Sequence, residues 1–204
     1  MATRKYEQRA RADHAEQTRR RILDAVAEQM RTSPTDPVSL DKVAQAAGVA
    51  RSTIYVSFGS RAGLFDAFAE ELWERGGLAE LQAAVADPDV RRHLRDGILA
   101  GCRMMATDRE LYRVLFSMSQ IDADSVGGAV ATREHNRKGG MLHLARRLSK
   151  EDVLRDDVTV KQAANLLWVL TSFESFDLLH TGQGLSVAAT ADLLATTAER
   201  ALCR

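Results

Sequence analysis

A short polar run, RSTIYVS over residues 51–57, carries side chains that can hydrogen-bond to nucleic acid. Arg51 can donate two hydrogen bonds to guanine, and the hydroxyls of Thr53 and Tyr55 suit phosphate oxygens and fix register. Such residues near the N-terminal end of a helix fit the major groove of DNA. The alternative is that Arg51 is a solvated surface charge and that Tyr55 packs in a small domain. The run is therefore a candidate base-reading surface.

Three N-terminal helices are predicted to position this run. Apolar spacing in TRRRILDAVAEQM predicts a first helix from Thr18, and RTSPTDP ends it. Ser39 stands where the N-cap of a two-turn second helix is expected, and Gly48 can take the positive φ of a tight turn. The third helix ends at Gly59, and Ser60 is placed to cap a fourth. Two short helices joined by a Gly-containing turn are typical of a helix-turn-helix unit.

The rest of the chain also shows helical spacing. There is no sustained period-2 alternation, so strands are not expected in the 204 residues. Gly76-Gly77 is a predicted kink in the fourth helix, because glycine weakens a helix interior. Residues 160–179 are apolar on nearly every side, which predicts burial on two faces. The sequence therefore predicts an all-α fold of about nine helices.

The last helix, near residues 187–202, carries a stripe of small and apolar side chains. The stripe consists of Val187, Ala191, Leu194, Ala198 and Leu202. Small residues let helices approach closely, and two apolar helices per chain suit a two-fold four-helix interface. We expect a homodimer through the last two helices. The alternative is a monomeric bundle that buries both helices inside.

Charge is unevenly distributed, although 28 basic residues balance 28 acidic ones. Residues 1–61 hold eleven Lys or Arg against seven Asp or Glu, whereas residues 62–204 hold seventeen against twenty-one. Residues 1–17 are a predicted basic N-terminal arm of the kind that meets polyanions. Its basic residues are Arg4, Lys5, Arg9 and Arg11. The alternative for the arm is a solvated terminal charge run.

Several functional classes find no support in the sequence. The two cysteines, Cys102 and Cys203, form no CxxC pair, and no uncharged stretch approaches the length of a membrane span. There is no Walker A motif, no GxSxG, no HExxH and no GxGxxG after a strand. The five histidines show no i, i+4 pairing for a metal. We expect a cytoplasmic protein without catalysis, cofactor, bound metal or membrane partner.

The segment LDKVAQAAGVARSTIYVSFGSRAGL resembles the tetracycline-repressor (TetR) family of bacterial transcription regulators. The similarity covers residues 18–68, and the C-terminal two thirds is only loosely similar. The family landmarks present are Ile22, Leu23, Val43, Ala44, Ala47, Gly48, Val49, Thr53, Tyr55, Phe58 and Leu64. Ala50 and Ser57 depart from the usual Ser and the usual His or Tyr. The DNA contacts that the resemblance implies are Ser39, Ala50, Arg51, Ser52, Thr53, Tyr55, Ser57 and Arg61.

The resemblance also implies an organisation and a function. A helix-turn-helix DNA-binding domain over residues 18–62 follows the basic arm, and residues 63–204 form a helical ligand-binding and dimerisation domain. Such a protein is expected to regulate transcription, as a repressor that binds a palindromic DNA operator as a homodimer. A small hydrophobic or amphipathic effector is expected to release it. Arg51 would read a base, whereas Arg61 would meet a phosphate.

Soft, aromatic and polar side chains of residues 63–204 are candidates to line an effector pocket. They are Cys102, Met105, Phe116, Trp168, Phe173 and Glu174. Ordinary core packing or solvent exposure is the alternative for each. Two other functions stay open. One is an activator or architectural DNA binder without an effector, and the other is a helical ligand carrier or small enzyme with a vestigial DNA-binding motif.

Overall fold

The computed structural model describes residues 2–204, with the side chains of Tyr6, Ala10 and every residue from Ala12 onward. The basic side chains of the predicted arm, Arg4, Lys5, Arg9 and Arg11, lie outside this description. The described residues form ten α-helices and no strand, which confirms the all-α prediction. None of the described helices combines the length and the apolar character needed to cross a membrane.

The helices follow one another with short connections. They are α1 (Ala2–Thr32), α2 (Leu40–Ala47), α3 (Arg51–Phe58), α4 (Arg61–Val85), α5 (Val90–Thr107), α6 (Arg109–Ile121), α7 (Gly128–Lys150), α8 (Val160–Leu170), α9 (Phe173–Asp177) and α10 (Val187–Leu202). Two π-helical turns, Ala123–Gly127 and Leu178–Gly182, precede α7 and follow α9.

The chain divides into two compact units. The first contains Met1–Glu71 and Arg113–Val130, and the second contains Leu72–Tyr112 and Ala131–Arg204. The expected domain boundary at residues 62 and 63 lies near the start of α4, whose residues through Glu71 cluster with the first unit.

The first unit is built around the inner faces of α1 to α4. Its most buried large side chains include Ile22 and Met30 of α1, Ile54 of α3 and Phe65 of α4, all at most 1% exposed. The predicted start of α1 at Thr18 was wrong, because the helix begins at Ala2. Between these two positions the chain has no proline or glycine and is rich in Ala, Arg, Glu and Gln, which favour helix.

The second unit packs α10 against α5. The buried residues of α10 include Ala191, Leu194, Ala198 and Leu202 of the predicted stripe. Arg95 of α5 forms ion pairs with Asp192 and with Glu199, the latter at 2.9 Å. The small-residue stripe is therefore used within the chain, because its alanines let α10 lie close to α5.

Two helix interruptions belong to the second unit. Gly77 has a φ of 105° inside α4, which confirms the predicted kink. The apolar segment 160–179 ends its first helix at Leu170, because the Ser172 hydroxyl accepts a hydrogen bond from the Ser175 N–H at 3.1 Å and caps α9. This break gives one helix more than the expected nine. Trp168 is 41% exposed, so in the single chain the segment is not buried on both faces.

Candidate nucleic-acid interface

The turn between α2 and α3 sets the direction of the candidate base-reading helix. Gly48 has φ 64° and ψ 40°, which confirms the predicted positive φ. The Val49 N–H donates to the Ala44 carbonyl at 3.0 Å, and the Gly48 N–H donates to the Gln45 carbonyl at 3.2 Å. These bonds satisfy the last carbonyls of α2 in the left-handed arrangement that glycine adopts without a Cβ penalty. The chain can therefore turn sharply and start α3 at Arg51.

Ser39 and Ser60 begin the helices on either side of this motif. The Ser39 hydroxyl accepts a hydrogen bond from the Lys42 N–H at 3.5 Å, and the Ser60 hydroxyl accepts from the Gly63 N–H at 2.9 Å. Both capping predictions are confirmed. The Ser39 hydroxyl thus has a structural role in the free protein, and its expected phosphate contact stays a prediction.

Helix α3 divides into an inward and an outward face. Ile54 is 1% exposed and anchors the inward face in the core of the first unit. Thr53 and Ser57 are half-buried at the flanks, and Ala50 is exposed at the N-cap, where it forms no side-chain capping bond. The exposed side chains of α3, which we call the outward face, are Arg51, Ser52, Tyr55 and Val56. Ser52 and Val56 lie on the side of α3 opposite Ile54, and Arg51 and Tyr55 extend this face around the helix.

The guanidinium of Arg51 is held by neighbours on both helices of the motif. Its Nη1 lies 3.1 Å from each carboxylate oxygen of Asp41 on α2. A side-chain hydrogen bond with Tyr55 and the Asp41 carboxylate raise the pKa of Arg51, which stays charged. The pair is exposed, with 53% of the Arg51 side chain and 71% of the Asp41 side chain accessible. The cation is thus oriented before any partner arrives and is still reachable.

Arg61 forms several contacts within the protein that the sequence did not predict. It donates to the Val38 carbonyl at 2.8 Å and forms an ion pair with Asp122 at 3.4 Å. Its guanidinium also lies 5.2 Å from the centroid of the Phe65 ring. Because these contacts join the start of α4 to the loop before α2, the side chain serves the packing of the first unit. A phosphate would have to share the Arg61 guanidinium with Val38 and Asp122, and this phosphate contact stays a prediction.

The comparison with known proteins centres on the same segment. The family model described as bacterial regulatory proteins of the tetR family matches residues 22–68. The HTH-type transcriptional regulator AlkX of Mycobacterium tuberculosis is 43% identical over 54 residues, which is 26% of each chain. The match therefore spans about a quarter of that relative's length.

The N-terminal segment of this chain is thus similar to the TetR family of regulators.

Solved structures of TetR-type regulators show the same fold over nearly the whole chain. Native NalD of Pseudomonas aeruginosa, the secondary repressor of the MexAB-OprM multidrug efflux pump, superimposes with a TM-score of 0.72 at 23% identity and covers 93% of this chain and 98% of its own. A TetR-like transcriptional regulator from Rhodococcus sp. RHA1 gives 0.63 at 23% identity, with 90% and 94% covered. At this identity the likeness establishes the TetR fold.

Sequence reasoning missed two residues at this surface. Val56 is 86% exposed, and Asp41 holds the guanidinium of Arg51. A helical projection carried the signal for Val56, since a residue two positions after buried Ile54 lies about 200° around the helix. The role of Asp41 carried no sequence signal, because it depends on how α2 and α3 meet.

The predicted effector-pocket residues are scattered in burial. Cys102, Met105 and Phe173 are buried in the second unit, and burial raises the pKa of the Cys102 thiol to about 12. Trp168 and Glu174 are exposed in the same unit, whereas Phe116 is half-buried in the first. Their role in a pocket stays a prediction.

Proposed function

We propose that this protein is a sequence-specific DNA-binding transcriptional regulator whose helix α3 enters the major groove of an operator. The observation that carries the proposal is the outward face of α3, which exposes a charged guanidinium and two hydroxyl side chains while Ile54 anchors the helix in the core. Arg51 reads a guanine, and Ser52 reaches a neighbouring base or phosphate. Thr53, Tyr55 and Ser39 hold phosphates and fix the register.

Val56 adds an apolar contact to the proposed base-reading surface. The Val56 side chain is 86% exposed, so moving it from water into contact with a methyl group is favourable. In the major groove the C5-methyl of thymine is the apolar feature of the base edges. Arg51 and Val56 are five residues apart, so they would contact base pairs at different positions of one half-site.

The regulator acts as a homodimer on a palindromic site in this proposal. Exposed apolar side chains on α8 and α10 support an interface there: Trp168 is 41%, Val169 52% and Leu193 45% exposed in the single chain. Apolar surface of this kind on two neighbouring helices favours a second copy. A two-fold dimer would set two α3 helices in successive major grooves.

A small molecule bound in the second unit switches the protein, which acts as a repressor in the cytoplasm without catalysing a reaction. The effector would favour a dimer whose α3 helices no longer match both half-sites. Linkage then requires that operator DNA weaken effector binding by the same factor. Equal effector affinity with and without operator would contradict the switch.

Fluorescence anisotropy tests DNA binding directly. Labelled DNA from the intergenic region upstream of the gene is titrated with the full chain at several salt concentrations, with a shuffled duplex of the same composition as control. We expect tight binding to the native duplex, at least a hundredfold weaker binding to the shuffled one, and a steep loss of affinity with salt. Equal affinity for both duplexes would favour a carrier or enzyme with a vestigial motif.

A further inference from the structure

The guanidinium of Arg133, in the part of α7 that belongs to the second unit, lies against an aromatic ring without a carboxylate partner. Its Cζ is 5.1 Å from the centroid of the Trp73 ring, and its Nη2 donates to the Met104 sulfur at 3.7 Å. Among the described residues it forms no ion pair and no other side-chain hydrogen bond. A thioether is a weak acceptor, so most of the donors of this guanidinium are unused. Burial lowers its pKa, which shows how poorly the cation is solvated.

Tyr112 supplies a second unused donor. The residue is 2% exposed, and its hydroxyl is buried without a hydrogen-bond partner among the described residues. Its ring stacks on Phe173 with centroids 5.8 Å apart, so the side chain is fixed in place. Burial raises the pKa of Tyr112, which keeps the hydroxyl protonated as a donor. Buried hydroxyl groups in proteins nearly always have a partner, so this one requires an explanation.

Met104 and Gly76 place the two unused donors side by side. The Met104 Cγ and the Tyr112 hydroxyl lie 2.9 and 3.5 Å from the point where a Cβ on Gly76 would stand, and the Met104 sulfur contacts Arg133. The Arg133 charge and the Tyr112 hydroxyl also affect each other's pKa. A Cβ on Gly76 would also stand 3.0 Å from the Met104 carbonyl oxygen, so glycine lets Met104 and the Tyr112 hydroxyl pack closely against this helix. Arg133 on the Trp73 ring and Tyr112 on the Phe173 ring are thus connected through Met104 and Gly76.

One turn along α7, Arg137 shows the usual way in which this chain neutralises such a cation. Its guanidinium lies 5.2 Å from the Trp168 ring centroid, and its Nε contacts the two carboxylate oxygens of Glu134 at 3.0 and 3.2 Å. It also donates to the Thr171 hydroxyl at 2.9 Å. The pair of Arg137 and Trp168 therefore has a carboxylate from the protein, whereas the pair of Arg133 and Trp73 has none among the described residues.

We propose that Arg133 and Tyr112 bind the carboxylate of a small aromatic acid whose ring packs among Trp73, Tyr112 and Phe173. A guanidinium fork binds a carboxylate through two parallel hydrogen bonds, and the tyrosine hydroxyl donates a third. A monoanion matches the single positive charge, and rings and methionine suit an aromatic body. In the regulator proposed above, this compound would be the effector, and that identification rests on the proposed function.

Isothermal titration calorimetry on the full chain tests the site without DNA. The probes are benzoate, 3-phenylpropionate and 2-naphthoate, each compared with the alcohol of the same carbon skeleton. We expect at least one acid to bind tenfold or more tightly than its alcohol. If no acid binds, or if acid and alcohol bind equally, the proposal is wrong.

Matched variants locate the effect. R133Q is expected to lower the ratio of acid affinity to alcohol affinity at least tenfold. R133K, which keeps the positive charge, is expected to lower this ratio less. Y112F should weaken the acid three- to tenfold and leave the alcohol unchanged. R137Q is the control, because it removes the arginine that stacks on the other tryptophan and already has a carboxylate. An acid preference that survives in R133Q, or one lost equally in R137Q, would overturn the assignment.

Fluorescence of Trp73 in a Trp168→Phe background provides a local readout. The acid is expected to change this emission with the same dissociation constant that calorimetry gives. Emission that stays constant while calorimetry shows binding would place the acid elsewhere and contradict the proposal. Operator release is measured separately: binding through Arg133 without release would leave the site standing and refute only its role as an effector site.

Discussion

Arg133 of the second unit differs from the arginines of the first unit in how its charge is satisfied. In the first unit Arg51 has Asp41, Arg61 has the Val38 carbonyl and Asp122, and Arg19 donates to the Ser57 carbonyl at 3.3 Å. In the second unit Arg133 has only a sulfur and a ring among the described residues. The first set is positioned by protein acceptors. An unsatisfied buried donor instead destabilises the free protein, which is the reason for the bound acid proposed above.

The largest expected effect tests the cost of burying polar groups in the second unit. His93 is 4% exposed, its Nδ1 lies 3.1 Å from Arg147 Nη1, and burial, aided by Arg147 and His143, lowers its pKa from 6.5 to about 4. Between pH 6.5 and pH 4, His93 therefore binds a proton more readily in the unfolded chain than in the folded protein. We expect the free energy of unfolding to fall by up to about 3 kcal/mol as the pH drops from 6.5 to 4.

Chemical denaturation at a series of pH values measures this slope. His93→Gln keeps an acceptor for Arg147 but cannot titrate, so its stability should depend less steeply on pH over the same window. His14→Gln is the control, because His14 is exposed on α1. Identical slopes for the wild-type protein and the His93 variant would show that protonation of His93 does not destabilise the folded protein.

The next effect tests the exposed cations of the first unit. Arg51→Ala is expected to weaken operator binding roughly tenfold to a hundredfold and to relax the preference for one base in each half-site. Its melting temperature should not change, because the Arg51–Asp41 pair is exposed. Arg155→Ala removes an equally exposed arginine, paired with Asp157 in the second unit, and serves as the control. Unchanged affinity and base preference in Arg51→Ala would mean that another residue reads the DNA.

A smaller effect separates an unsatisfied hydroxyl from its proposed ligand role. Tyr112→Phe removes a buried donor without a partner and should stabilise the free protein by about 1 kcal/mol. Thr190→Val does the same in α10, where the Thr190 hydroxyl is also buried and unpartnered. Thermal denaturation should show both gains, but only the tyrosine variant should lose affinity for the acid. A loss of acid affinity in both variants would point to a general change in packing.

The smallest effect concerns the apolar contact on α3. Val56→Ala is expected to weaken operator binding about threefold, because one methyl contact is worth about 1 kcal/mol or less. The loss should disappear when the contacted thymine is replaced by uracil, which lacks the methyl group. Anisotropy with the two duplexes measures this difference. An equal loss on both would show that Val56 makes no thymine contact.

Much of the fold followed from local patterns in the sequence. The capping hydroxyls of Ser39 and Ser60, the left-handed Gly48 and the kink at Gly77 are fixed by residues a few positions apart, and all four predictions are confirmed. The extent of α1 was not predicted, because a continuous run of good helix formers gives no start signal. The break after Leu170 was also missed, since apolar spacing hides a serine that caps the next short helix.

The candidate sites were predictable to different degrees. The types and order of the α3 side chains indicated a DNA-contacting surface, because an arginine and several hydroxyl groups cluster near the N-terminal end of a predicted helix. The ligand-pocket prediction selected soft and aromatic residues by composition and did not include Arg133 or Tyr112. Their significance depends on which acceptors lie nearby, and spacing along one chain does not reveal that.

The amino-acid sequence by itself determined the all-α architecture, the turn at Gly48 and the set of polar side chains on α3, since each depends on contacts within one or two helical turns. Only the tertiary structure decided that Asp41 orients Arg51, that α10 uses its small residues against α5, and that Arg133 and Tyr112 have no carboxylate partner among the described residues. These are contacts between distant segments, and whether a buried polar group is satisfied is set by the residues that packing brings around it.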